Sequence, residues 1–389
     1  MSSFWPSQPV GVTDADALAS RIEPYLAEEP MDLPKGRVWD TLDLRIPEVR
    51  REVRKFMLHH NVTGKLEDGR TLGVLYTEND MQVWCSGRYV PEWCVGMRSR
   101  GNLVGVIIGL PTRLRISKSI LPYNVESVDV DMDPKKVDVE ALCVVHFCVH
   151  KLVRRHGIAQ LMIQELARRM HTRKVHHAIY GTPEVHNGCL GKLRVQVPIK
   201  SLSGWLSSSH PMNCHVASKE DFGELQMACD RAFRVKNDAC AYAWGIDEKA
   251  WEEDVVPWIE RFSSDEDHGV MLASQEEGTN MVTGTTIVGV ARYVKVRIVD
   301  TDTDSLEYTR VGIQIVVSDS YKTTQDLVLA CWKHTHADSA VVCSPHSLER
   351  IGFGYDQELY IHVWNVKGDE AVTADVPDAV PTQLVIPMW

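Results

Sequence analysis

Basic residues are in deficit: 42 Lys and Arg stand against 53 Asp and Glu, a formal net charge of −11 over 389 residues. Such a chain lacks the basic footprint that a phosphate backbone requires, so nucleic acid is not an expected partner. Long apolar runs are missing as well. No stretch of 18 apolar residues occurs, and no transmembrane helix is expected. The opening residues through Gly11 carry neither the positive region nor the apolar core of a secretory signal. Ten cysteines are present, but none pair as CxxC. Without a secretory signal they are expected to be free thiols in a reducing, cytoplasmic compartment. Low-complexity tracts are absent. A composition of 44% hydrophobic and 24% charged residues is that of a globular protein of two domains or one large one.

What is present concentrates in His146–Met170. Val144, Val145, Phe147 and Val149 suit a buried strand. Ile158, Leu161, Met162, Leu166 and Met170 recur at helical spacing. Between them lies Arg154-Arg155-His156-Gly157-Ile158-Ala159, a basic turn with a glycine where the helix begins. Helix-start N–H groups are unpaired and the helix dipole favours anions there. Gly157 lets a large anion approach the main chain, and arginines add charge-assisted donors. The turn is suited to a pyrophosphate. Cys143, His146, Cys148 and His150 also cluster, but their spacing lacks the turn geometry of zinc knuckles, and no metal is expected.

Along the chain, helical patterns fall at Asp14–Leu26, Pro47–His60, Asn79–Trp84, Glu220–Arg234, Asp247–Arg261 and Thr324–Lys333. Pro47 suits a first helical position. Strand patterns fall at Glu92–Arg98 and Asn102–Leu110, turning at Gly101-Asn102, then at His176–Tyr180, Met271–Ser274, Thr286–Val299, Leu306–Val317, Ser339–Cys343 and Tyr360–Val366. Asp68-Gly69 marks a turn, Pro122–Lys136 a charged connector and Ser201–Asn213 a polar loop. The second half therefore repeats the order of the first. The tail from Leu384 to Trp389 is apolar, which implies burial, since solvated ends are usually polar.

The turn Arg154–Ala159 resembles the (Q/R)-x-x-G-x-(G/A) pyrophosphate loop of the GNAT acyltransferase superfamily. Phe4-Trp5-Pro6-Ser7-Gln8-Pro9-Val10 is similar to the FWxTQPV arm of eukaryotic N-myristoyltransferases. Tyr76-Thr77-Glu78 with Trp84 resembles that family's YSxEFLxWAL helix. Tyr89–Arg98 with Leu103-Val104-Gly105 and Leu110-Pro111 resembles its WLPQWxxGVR…LVG…IP segment, and Phe147–Lys151 its LCVHK strand. Gln164–Arg169, Ser347–Gly354 and Tyr360–Asn365 extend the match in the same order.

The resemblance implies an α+β fold of two tandem GNAT-like halves, with a mixed twisted sheet flanked by helices. Residues 1–205 would bind acyl-CoA; residues 206–389 would shape the peptide groove and carry a catalytic C-terminus. It implies a monomeric transferase that moves myristoyl from myristoyl-CoA to the amine of an N-terminal glycine, with no resident cofactor. Ser3, Phe4, Trp5, His146, Phe147, Cys148, Val149, Arg154, Arg155, His156, Gly157, Ile158 and Ala159 would contact CoA. Main-chain N–H groups at His146 and Phe147 would form the oxyanion hole, the Trp389 carboxylate would act as base, and Thr182 would assist. Glu67, Asp68, Tyr76 and Asp356 would face the peptide. The chain departs from the family in reading His146-Phe147 for Phe-Leu, Tyr180-Gly181-Thr182-Pro183 for Tyr-Thr-Ala-Gly and Val195–Ser201 for YWHRSLN. Two alternatives stay open: a GNAT enzyme using another acyl-CoA or a lysine acceptor, and an acyl-CoA-binding protein without catalysis.

Overall fold

The structure, a computed structural model, describes residues 8, 12, 14–66, 68–85, 88–117, 136–182, 189–199, 213–234, 240–242, 266–279, 282–344 and 347–364. Among them are the helices α1 (Ala15–Ile22), α2 (Pro47–His60), α3 (Glu78–Val83), α4 (Ile158–Thr172), α5 (Phe222–Arg234) and α6 (Tyr321–Thr335). The strands are β1 (Arg37–Thr41), β2 (Val62–Lys65), β3 (Thr71–Leu75), β4 (Cys94–Ser99), β5 (Asn102–Ser117), β6 (Lys136–Val149), β7 (His177–Thr182) and β8 (Cys189–Pro198). They continue with β9 (Cys214–Val216), β10 (Cys240–Tyr242), β11 (His268–Thr279), β12 (Val282–Asp300), β13 (Leu306–Ser318), β14 (Ser339–Ser344) and β15 (Phe353–Trp364).

The strands form one continuous sheet in the order β1-β4-β5-β6-β7-β15-β8-β14-β13-β12-β11-β9. β10 joins β5, and the β2–β3 hairpin joins β12. The sheet is mixed: β6–β7 and β13–β14 are parallel, each bridged by a helix as parallel neighbours require. The motif β5-β6-α4-β7 thus recurs as β12-β13-α6-β14, and the α+β fold of two like halves follows. Strands are shared between the halves, with β3 on β12 and β8 seated between β15 and β14.

Two cores cover the two faces of the first half. On one, Ile158, Met162, Leu166 and Met170 of α4 pack against Ile107, Leu142 and Val149. Full burial of each such side chain stabilises the fold by about 2 kcal/mol. The helix lies so close to β5 that a β-carbon on Gly105 would collide with Met162 Sδ. On the opposite face, Tyr76, Trp84, Cys143, Val145 and Cys148 join Val296 and Ile298 of β12.

Most expected elements are present, and α2 has the expected bounds. The hairpin between β4 and β5 turns on Arg100 and Gly101, both at positive φ, rather than on Gly101-Asn102. β1, β2, β3, β8, β9 and β10 were not anticipated, since short or polar strands hold their place through a neighbour's ladder and carry little pattern of their own. The connector 118–135, the loop 201–212, the expected helix at Asp247–Arg261 and the tail after Trp364 lie outside the described residues. No described helix is long and apolar enough to cross a membrane.

Candidate active site

The site begins with an irregularity in β6. Ile108 pairs with His146, but the next residue of β5, Gly109, pairs with Val144, so Val145 is an extra residue. Such a bulge kinks the strand and re-aims its side chains. The parallel ladder to β7 runs only over Ala141–Cys143 against His177–Ile179. On its other edge β7 pairs with β15 over Ala178–Thr182, but past Cys143 and Ile179 no ladder joins β6 to β7. Main-chain groups of β6 after Cys143, on the edge turned from β5, therefore face an opening instead of β7.

That opening leads into a cavity of about 350 Å³. Leu142 and Val144 of β6, Ile163, Leu166, Ala167 and Met170 of α4, and Trp364 of β15 are among its walls. His146, Phe147, Tyr180, Gly181 and Thr182 also line it. A largely apolar pocket with a few polar groups at one end fits a long aliphatic chain bearing one polar terminus. Tyr180 stacks on His362 at 5.3 Å. Trp364 meets Tyr25 edge-on at 5.4 Å, and the Tyr25 hydroxyl donates to Gln8 Oε1 at 2.6 Å. The N-terminal segment is thus fastened over this end of the sheet. A second clasp holds it to α4: Glu165, fully buried, pairs with Arg168 and Arg169 and accepts from Met31 N. Burial opposes charge on Glu165, but the hydrogen bonds from the two arginines prevail and lower its pKa.

The bulge also separates the faces. Val149 follows Leu142 and Val144 onto the α4 side, and Phe147, 37% exposed, lines the cavity with α4 residues. His146, 7% exposed, stands on the other side, its ring 4.2 Å from Trp84 and 5.2 Å from Tyr76. Burial pushes the thiols of Cys143 and Cys148 up to about 12, so neither supplies a thiolate nucleophile at neutral pH.

At the other end of β6, α4 starts at Gly157, whose φ of 74° lies in the left-handed region, and no side chain caps the helix. Arg155 is also left-handed at φ 66°, a cost of about 1 kcal/mol for a residue with a β-carbon. Arg155, His156, Gly157 and Ala159 are exposed. Arg154 is engaged differently: Nε donates to Val149 O at 3.0 Å and Nη2 to His60 O, tying the turn to β6 and to α2. His60 packs against the His150 ring at 4.0 Å, and burial lowers its pKa to about 4, with the His150 and Lys151 charges adding.

Of the expected site residues, the fold gathers His146, Phe147, Thr182 and Tyr76 at the split, with Cys148 and Val149 leading to the turn. Asp68 lies in the β2–β3 hairpin, where it is paired with Arg70 at 2.7 Å. Asp356 sits where the β15–β8 register shifts, between Tyr355 and Gln357. Ser3, Phe4, Trp5, Glu67 and Trp389 lie outside the described residues. Trp364, Tyr180 and the cavity face of α4 were not singled out from sequence. The stripe through Leu166 and Met170 was visible but reads equally as core.

With this geometry in hand, comparison with known proteins is specific. Residues 20–189 match the family model "Myristoyl-CoA:protein N-myristoyltransferase, N-terminal domain". Over these residues the chain is similar to the N-myristoyltransferase family. Glycylpeptide N-tetradecanoyltransferase 2 of Bos taurus is 29% identical over 186 residues, covering 46% of this chain and 33% of that protein. Glycylpeptide N-tetradecanoyltransferase 1 of Arabidopsis thaliana is 25% identical over 221 residues, covering 54% and 44%. The matched region thus spans between a third and a half of these two relatives' length. The fold likeness runs further. A Saccharomyces cerevisiae N-myristoyltransferase with bound myristoyl-CoA and inhibitors superimposes with a TM-score of 0.70 at 15% identity, covering 98% of this chain and 95% of that one. The N-myristoyltransferase fold therefore extends over both halves, although sequence similarity is concentrated in the first.

Proposed function

We propose that this protein transfers a myristoyl group from myristoyl-CoA to the α-amine of an N-terminal glycine. The observation that carries the reading is the opened edge of β6, which lies between an apolar cavity and an uncapped, arginine-bearing helix start. The acyl chain occupies the cavity under α4, and the CoA pyrophosphate lies on the Arg155–Ala159 turn. Ser3, Phe4 and Trp5 contact CoA, following the resemblance. The thioester carbonyl then rests against the main chain at His146 and Phe147. One such N–H donor is worth about 3 kcal/mol of barrier when aimed at the developing oxyanion.

The amine attacks the thioester carbon directly, and CoA leaves as the thiol. An α-amine has a pKa near 8 in water, so a modest base suffices. The resemblance assigns that base to the carboxylate of Trp389. Thr182, at the cavity wall, assists at the amine. Tyr76, with Glu67, Asp68 and Asp356, contributes to the peptide side. Residues 1–205 serve acyl-CoA and residues 206–389 the peptide groove, in a monomer acting in the cytoplasm.

The test is incubation with myristoyl-CoA and a glycine-led peptide, reading thiol release and the mass of the acylated peptide. Stoichiometric thiol and amide are expected, with myristoyl-CoA preferred to acetyl-CoA. Preference for acetyl-CoA, or acylation only at a lysine, overturns the reading. Turnover unchanged after removal of Met388-Trp389 overturns the role of the terminal carboxylate alone.

A further inference from the structure

We propose that Arg310, with the Tyr308 hydroxyl beside it, binds a carboxylate side chain of the acceptor peptide. The chain thereby selects glycine-led sequences that carry an aspartate or glutamate a few residues past the glycine. This role rests on the transferase reading above and narrows its acceptor. Leu75, the last residue of the β3–β12 ladder, pairs with Arg297. The next row across the sheet is therefore Tyr76 and Val296, and Val296 pairs with Arg310 of β13. Side chains of one row point to one face. Tyr76 and Val296 belong to the same core, and Tyr308 packs against it. Arg310 thus stands on the face that the resemblance gives to the peptide.

Arg310 is half-buried. Among the described residues its one hydrogen bond runs from Nη2 to the Tyr308 hydroxyl at 2.6 Å, and its guanidinium lies 5.4 Å from the centroid of that ring. Nε is buried without a partner. By contrast, Arg98 pairs with Asp40 and Glu52, Arg169 with Glu165 and Arg50 with Glu78. A guanidinium drawn partly out of water without a counter-ion is costly, so a carboxylate arriving beside it is favoured.

The planar guanidinium offers paired donors that match a carboxylate. The Tyr308 oxygen accepts from Arg310, so its own proton is left to donate to the same ligand. Acids nearby are engaged elsewhere: Asp68 and Glu307 pair with Arg70, and Asp80 pairs with His268. Strands lie about 4.8 Å apart, which puts the Arg310 main chain roughly 10 Å from that of Tyr76. An extended peptide rises about 3.3 Å per residue, so the carboxylate falls about three to five residues past a glycine held near Tyr76.

The test scans glutamate against glutamine through the positions after the glycine of an otherwise neutral peptide, with myristoyl-CoA as donor. At a position in that range, glutamate is expected to raise kcat/KM about tenfold over glutamine, chiefly through KM, and added salt to erode the gain. Arg310→Met keeps the apolar stem. It is expected to erase the preference, the loss falling on the glutamate peptide, and to keep the affinity for myristoyl-CoA. Arg310→Glu is expected to favour lysine at the same position. A wild type that accepts glutamate and glutamine equally at every position overturns the assignment and leaves the transferase reading standing. An equal loss on both peptides in Arg310→Met also overturns it, since that marks packing alone. A wild type that acylates none of the glycine peptides overturns the transferase reading, and this role with it.

Discussion

The two crossovers of this molecule, β5-β6-α4-β7 and β12-β13-α6-β14, are built alike and used differently. Each has a bulge in the strand before its helix: Val145 in β6, and Val316 in β13, which is skipped between Ile315 and Val317. Each parallel ladder stops two residues short of that bulge, at Cys143 and at Gln314. Each helix rests on a close glycine opposite the last residue of the bulged strand, Gly105 opposite Val149 and Gly289 opposite Ser318. The helix starts then diverge. At α6, Ser320 Oγ accepts from Thr323 N at 3.1 Å, the Thr323 hydroxyl donates to Asp319, and Ser318 bonds Thr324. At α4 no side chain performs these tasks, and Arg155 and Gly157 are both left-handed. The first-turn donors of α6 are met by its own hydroxyls, whereas those of α4 are left open, as the proposed pyrophosphate seat would require.

Replacing Ala167 with Trp breaks the comparison most severely, because it fills the space that distinguishes the first crossover. Myristoyl-transfer kcat/KM is expected to fall by at least about 100-fold, since several methylenes would lose their place. A chain-length series of acyl-CoAs measures this, and an unchanged preference for the long chain contradicts it.

The C-terminal end of α4 offers the next contrast. His171 is buried, with Nδ1 donating to Ala167 O at 2.7 Å, whereas α6 ends on the neutral Thr335 hydroxyl bonded to Cys331 O. Burial lowers the His171 pKa to about 4; the bond to Ala167 opposes this and His176 adds to it. Because the folded value lies below the ordinary one near 6.5, the folded protein binds fewer protons, and stability is lost as pH falls from about 6.5 toward 4. The loss is roughly 3 kcal/mol at most. Denaturant melts across that window should show a shallower decline for His171→Leu than for wild type.

Exchanging the roles of the helix starts has smaller effects. Ser320→Ala is expected to cost about 1 kcal/mol of stability and leave acyl-CoA affinity unchanged. Gly157→Ala imposes strain of about 1 kcal/mol at its positive φ and also weakens acyl-CoA binding. Thermal unfolding and calorimetric titration together separate the pair. The mildest change is Arg155→Ala, with acyl-CoA affinity falling about threefold and losing part of its salt dependence, as for an exposed charge near a helix start. Equal affinity at low salt would remove Arg155 from the anion site.

Much of the first crossover was legible because its signals are local. The β-branched run into Val149, the stripe from Ile158 to Met170 and the Arg155–Gly157 turn each need only neighbours within a few residues. The resemblance assigned Tyr76 and the His146-Phe147 pair to one site, and in the fold the Tyr76 and His146 rings lie 5.2 Å apart. Trp364 escaped notice because nothing in Phe353–Trp364 says that the strand lies beside β7 rather than at an edge. Arg154 and Asp68 looked like ligands in sequence; in the fold Arg154 bonds Val149 and His60, and Asp68 pairs with Arg70.

The sequence by itself determined the two repeated crossovers and the anion-seeking turn, because hydrophobic period, glycine and charge act through the adjacent backbone. Only the tertiary structure decided where β6 and β7 part, and therefore that Phe147 faces the cavity under α4 while His146 faces Tyr76. That outcome depends on one extra residue in the β5–β6 ladder and on how far the β6–β7 ladder runs. Pairing between separate segments leaves no trace in either segment's local pattern.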